Sequence, residues 1–158
     1  MAWELTKDLG ERIANGGIAV LQQNKDTSHL FWIGKNKRLT ATQFSSPTPK
    51  ESWVQVLDKA GHNTGRGGGI AAVSRQSDHA EVFWISKTGS LECCYRYGND
   101  PWKFYTMQGT SDSVAPSSPV VALSKGRDNM EVFWIAKDGS VQGVNVLLPS
   151  LFQIIEHY

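Results

Sequence analysis

Phe83-Trp84-Ile85, within the run Glu81-Val82-Phe83-Trp84-Ile85, occurs twice more in this 158-residue chain, as Phe31-Trp32-Ile33 and Phe133-Trp134-Ile135. The spacings are 52 and 50 residues. Tryptophan is rare, so a triplet carrying it three times at nearly one period marks an internal repeat, and such a period belongs to stacked or radial architectures. The surroundings repeat as well. Gly17-Ile18-Ala19-Val20-Leu21, Gly69-Ile70-Ala71-Ala72-Val73 and Pro119-Val120-Val121-Ala122-Leu123 each lie about a dozen residues ahead of the triplet, with Asp26, Asp78 and Asp128 at matching places between.

The middle unit shows what is repeated. Residues 69–73 are apolar, opened by glycines and too short for a helix, which predicts a buried strand. Residues 74–79 are polar and read as a turn. Residues 81–85 are aromatic and β-branched, as a packed pleated surface requires. Thr88-Gly89 predicts a tight hairpin, and the third unit has Asp138-Gly139 there, a pair that favours the type I′ turn. The first unit has Asn36-Lys37, with Asn36 expected to take positive φ. Residues 91–97 form a third strand, residues 98–101 a turn, and residues 102–107 a fourth strand.

Each unit is therefore a four-stranded antiparallel meander, and the fold class is all-β: a β-propeller with three blades in the chain. The whole chain, 1–158, reads as a single repeat domain. Blade one covers 16–58, blade two 68–108 and blade three 118–158, with an extra outer strand at 3–6. That last strand follows from Trp3, which lies 50 residues before Trp53 as Trp102 lies 50 before Phe152. No stretch has a convincing helical stripe; residues 5–13 come nearest and are interrupted by Gly10. A closed propeller has about four to eight blades, so three leave two uncovered faces. Closure by oligomerisation, a homodimer making six blades, is the simplest solution.

Composition excludes several classes. Net charge is +1 with acids and bases interspersed, so no nucleic-acid partner is expected. No apolar run is long enough for membrane insertion, and residues 1–4 lack a signal-peptide pattern. Cys93 and Cys94 are adjacent in one strand and are expected to be two buried thiols facing opposite ways. These features predict a cytoplasmic chain, or one secreted without a signal peptide. His29, His62, His79 and His157 have no metal-ligand spacing, and no phosphate-cradling or nucleophile motif is present. No cofactor, no metal and no catalytic constellation are expected, so the protein reads as a binder, not an enzyme.

The pattern Gly-Ile-Ala-Ala-Val, polar turn, Glu-Val-Phe-Trp-Ile, then Thr-Gly-Ser-Leu or Asp-Gly-Ser-Val resembles the blades of fucose-binding β-propeller lectins, both the fungal six-bladed and the bacterial propeller lectins. The resemblance spans roughly residues 16–158. It implies shallow sugar pockets between adjacent blades and supports closure through assembly. In the fungal members it implies an arginine at the start of strand two and a glutamate on strand three. Here those positions are His29, Glu81 or Glu131, and Ala41, Cys93 or Gly143. The expected ligand is therefore a glycan through fucose or another monosaccharide.

A sugar site needs an aromatic face and charged or amide groups for hydroxyls. Arg75 with Glu81, and Lys125 with Glu131, recur in register as cation and carboxylate at the blade edge. A structural ion pair would recur in the same way. Trp53 and Trp102 open outer strands and are the stacking candidates, whereas Trp32, Trp84 and Trp134 lie mid-strand and read as core. Tyr95 belongs to a tyrosine group, with Tyr97 and Tyr105, that only unit two carries. The expected function is a multivalent carbohydrate-binding lectin without catalysis. A protein-interaction propeller is the competing class, and a propeller glycosidase or lyase a weaker third.

Overall fold

The structure is a computed structural model and describes residues 13–45, 55–57, 68–147 and 151–155. Among the described residues twelve strands form three four-stranded sheets. Blade one contains β1 (Ile13–Asn24), β2 (Thr27–Gly34), β3 (Leu39–Ser45) and β4 (Gln55–Val56). Blade two contains β5 (Ile70–Val73), β6 (His79–Ile85), β7 (Leu91–Tyr97) and β8 (Lys103–Thr106). Blade three contains β9 (Val120–Gly126), β10 (Asn129–Ile135), β11 (Val141–Leu147) and β12 (Leu151–Ile155). Every sheet pairs its strands in chain order and antiparallel, so each blade is a meander. No helix occurs among the described residues. The proposed strand at 3–6 and Trp53 fall outside the described residues, and so does all of 5–13 except Ile13.

The blades stack through alternate faces of their strands. β5 packs between β1 and β9, so the first strands line one edge of the arc. Side chains at successive strand positions point to opposite faces. On β6, Ala80, Val82 and Trp84 join Ala19, Leu21, Phe31 and Ile33 in the core between blades one and two. Phe83 and Ile85 point the other way, to Met130, Val132 and Trp134 in the core between blades two and three. This accounts for a repeated triplet with no polar member: a middle blade is covered on both faces. Trp32, Trp84 and Trp134 are all buried. Cys93 and Cys94 are buried and divided between the two cores.

Close approach of backbones fixes one position absolutely. A Cβ on Gly69 would lie 2.3 Å from the Val120 nitrogen, so the entries to β5 and β9 can be this close only with glycine. The Gly69 amide also donates to the Ser118 carbonyl at 2.8 Å.

The hairpins between the second and third strands differ from expectation. A type I′ turn needs positive φ at both central residues, yet only Gly139 (φ 87°) has it, and Asp138 does not. In blade three Gly139 N–H donates to the Ala136 carbonyl at 3.0 Å and Ala136 N–H to the Ser140 carbonyl at 2.9 Å. The loop is therefore three residues long, with the left-handed residue last, and the same bonds join Ser86, Gly89 and Ser90. Asp138 serves differently, accepting the Ser140 amide at 2.9 Å. In blade one Lys37 (φ 60°), not Asn36, takes the left-handed position, and Asn36 caps the Arg38 amide at 3.1 Å.

The connector from blade two to blade three runs along these hairpins. Val114 N–H donates to the Gly89 carbonyl at 3.0 Å, and Val114 bridges Ala136 of the next blade. Each end of the arc carries exposed apolar side chains, although Trp32, Thr40 and Thr42 on the outer face of blade one are buried. Ile18 and Val20 are exposed on the face of β1 that turns away from blade two; Val121, Leu123 and Val141 are exposed on the face of blade three that turns away from blade two.

Candidate functional site

Register places one polar pair at the same point of each blade. His29, Glu81 and Glu131 stand opposite Leu21, Val73 and Leu123 on the preceding strand. Two residues further along the chain come Gln23 and Lys125, still on their strands, and Arg75, just past the end of β5. The contacts repeat: Gln23 Oε1 to His29 Nε2 at 2.7 Å, Arg75 Nη2 to Glu81 Oε2 at 3.2 Å and Lys125 Nζ to Glu131 Oε1 at 2.5 Å. Across the third strand their neighbours are Gln43, Tyr95 and Asn145.

The surroundings of the three pairs differ. In blade two the Arg75 and Glu81 side chains are 4% and 2% exposed, because blade three covers that face. Glu81 spends both oxygens inside the protein: Oε1 accepts the Tyr105 hydroxyl and the Cys93 thiol (3.3 Å), and Oε2 accepts Arg75 and lies 3.3 Å from His79 Nε2. Burial, with the neighbouring Glu81 charge, holds the Cys93 thiol well above its ordinary range. Burial and the adjacent Cys93 and Glu81 push the Tyr105 phenol up in the same way, so both remain protonated donors. Tyr97 packs on His79 with ring centroids 4.8 Å apart, and Tyr95 meets Tyr97 and Tyr105 edge-on at 6.2 and 5.8 Å. Lys103 Nζ lies 5.8 Å from the Tyr95 ring centroid. Arg75 and Glu81 are thus brought together as the sequence suggests, but inside a closed network. Lys125 and Glu131 form the open version, 50% and 20% exposed, with no described blade packed on that face.

The boundary between blades one and two is built otherwise. Alternation along β7 turns Tyr95 and Tyr97 towards blade three and Arg96 towards blade one. Arg96 Nη2 reaches across to Gln43 Oε1 at 3.4 Å, and its Cζ stands 4.9 Å from the Trp102 ring centroid. Trp102 is half-buried and meets Phe31 edge-on at 6.0 Å; His29 stacks on Phe31 at 5.9 Å. Burial, reinforced by Arg96, lowers His29 to about 4, so its ring is neutral at physiological pH. Burial also lowers Arg96 from the ordinary arginine value. Arg96 Nε and Trp102 Nε1 are buried and have no hydrogen-bond partner.

Of the residues picked from sequence, Trp102 lies at this boundary, with one face of its indole taken by Arg96. Tyr95 lies at the other boundary, and Trp53 is outside the described residues. Sequence reasoning passed over Arg96, Gln43 and Gln23. The signal for Arg96 was its rarity: its register equivalents are Phe44 and Val146. The signal for Gln23 was its six-residue spacing to His29, the spacing of Arg75 to Glu81. Guanidinium, amide, neutral imidazole and indole gathered across a blade boundary supply hydrogen bonds and an apolar face in one place. Among the described residues no group of His, Cys, Asp and Glu could hold a metal ion.

No protein-family model and no curated protein matches the sequence. Solved structures do. The BP39L lectin from Burkholderia pseudomallei superposes with a TM-score of 0.71 at 15% identity, over 87% of this chain and 39% of that one. The Aleuria aurantia lectin, described as a six-bladed β-propeller with a novel fucose recognition mode, gives 0.66 at 16% identity, over 94% of this chain and 48% of that one. A fucose lectin from Kordia zhangzhouensis, solved with methyl-fucoside, gives 0.60 at 15% identity, over 89% of this chain and 99% of that one. The chain thus spans less than half the length of the first two and nearly all of the third. At these identities the likeness is one of fold: the chain is three blades of the β-propeller that these lectins share.

Proposed function

We propose that the protein is a carbohydrate-binding lectin whose sites lie at the boundaries between blades, and that it recognises glycans without catalysis. The observation that carries this reading is the boundary of blades one and two. There Arg96 and Trp102 of one blade face Gln43 and His29 of the other, with a guanidinium and an amide as hydrogen-bond donors beside an indole. A polyhydroxylated ring offers acceptors for such donors and apolar C–H surface for an indole. The fold shared with fucose-binding lectins supports the same ligand class.

Two copies closing a six-blade ring complete the proposal. Exposed Ile18 and Val20 at one end of the arc, and Val121, Leu123 and Val141 at the other, form apolar faces of the kind that mark interfaces. Weak sites repeated on such a ring gain strength through effective concentration. A glycan array on material of known solution mass tests both parts. The expected result is binding of a defined saccharide at dimer mass, weakened in Gln43→Ala and Trp102→Ala. A folded dimer that binds no glycan overturns the lectin reading.

A further inference from the structure

Taking the lectin reading as its basis, we infer that the boundary of blades one and two selects an anionic saccharide, one bearing a carboxylate or a sulfate, over its neutral counterpart. Arg96 brings a full positive charge there and has no acidic partner among the described residues. Among the described residues its side chain makes one hydrogen bond, the 3.4 Å contact to a neutral amide, Gln43. The nearest imidazole, His29, is neutral and adds no charge of either sign. Glu92 lies on the same face of β7 but four residues away, about 13 Å along a strand. Both of its oxygens are engaged by Thr106 Oγ1, at 3.1 and 2.9 Å.

The other boundary shows what the chain does when a cation is meant to stay inside. Arg75 is buried against Glu81, and the carboxylate is surrounded by further donors. A partly desolvated guanidinium without an acidic partner among the described residues is costly, and a ligand anion removes that cost. Carboxylate and sulfate both match the planar donor fork of arginine with charge-assisted bonds, which a neutral hydroxyl cannot equal.

The test compares matched probes by titration calorimetry on the intact protein: methyl glucuronide against methyl glucoside, galactose sulfate against galactose, and sialyllactose against lactose, each at low and high salt. The expected result is a preference of about tenfold or more for at least one acidic member, shrinking as salt is raised. The arms separate carboxylate from sulfate. Arg96→Gln is expected to erase the preference. Gln43→Glu is expected to erase it too, by setting a carboxylate of the chain's own against Arg96 without loss of melting temperature. Equal affinity for the neutral members, or a preference that survives Gln43→Glu, overturns the inference while leaving the lectin reading intact. Absence of binding to every probe and to fucosides overturns both.

Discussion

Glu81→Ala is expected to unfold the protein at distinctly lower denaturant, whatever it does to ligand. The carboxylate is buried, and it is the acceptor for Arg75 Nη2, the Tyr105 hydroxyl and the Cys93 thiol. Its removal leaves a guanidinium that is 4% exposed, two of whose nitrogens, Nε and Nη1, already lack partners. Breaking a buried pair by deleting one member costs about 3–5 kcal/mol. That is a large part of the roughly 5–15 kcal/mol available to an ordinary domain. At a urea dependence of about 2 kcal/mol per molar, the midpoint falls by about 1.5–2.5 M. The assay is equilibrium urea unfolding followed by tryptophan fluorescence, with Trp84 and Trp134 in the two cores beside blade two. The triple variant Arg75→Met, Glu81→Leu, Tyr105→Phe removes charge, counter-charge and hydroxyl together, and is expected to recover at least half of the loss. A loss below about 1 kcal/mol for Glu81→Ala, or a triple variant as unstable as the single one, refutes the reading of a closed structural network. Unchanged stability with lost glycan binding would instead put the carboxylate against ligand.

Three further outcomes can be checked. His29 has its folded pKa lowered from 6.5 to about 4, so the unfolded chain binds the extra proton first; stability is level above about pH 6.5, falls as pH drops towards 4 and levels below that, and His29→Gln removes this slope in urea titrations. Gly139→Ala, in open space at φ 87°, is expected to cost about 1–2 kcal/mol of backbone strain alone, whereas Gly89→Ala, at φ 77° with its Cβ 3.1 Å from the Val114 carbonyl, costs more, as thermal unfolding would show; equal losses would remove the connector contact from the account. Val20→Glu and Leu123→Glu each place a charge on an exposed apolar end of the arc and are expected to shift a dimer to monomer by light scattering without unfolding it; an unchanged mass places the interface elsewhere.

The repeat carried the architecture because burial in a propeller is periodic. Phe31, Phe83 and Phe133 occupy one register position, as do Trp32, Trp84 and Trp134, and strand order follows once each unit is a meander. Turn detail was less legible. Asp138-Gly139 fits a two-residue loop as well as the end of a three-residue one, and the choice depends on whether Ala136 pairs with Ser140 across the loop. The candidate site was legible only in part. Arg75–Glu81 and Lys125–Glu131 look alike in sequence, yet one is sealed and the other open, because sealing depends on a following blade and not on the pair itself. The repeat does not mark Arg96, because this side chain has no counterpart in the other two units.

The adjacent thiols of β7 offer a use of their own. Cys93 is packed among residues shared with blade three, and Cys94 among residues shared with blade one. A thiol-labelling reagent added during gradual denaturation would therefore read two boundaries from one peptide. Mass spectrometry of that fragment would record which seam admits reagent first. If Cys94 reacts well before Cys93, blade one detaches while blades two and three still hold together, and the arc comes apart one blade at a time.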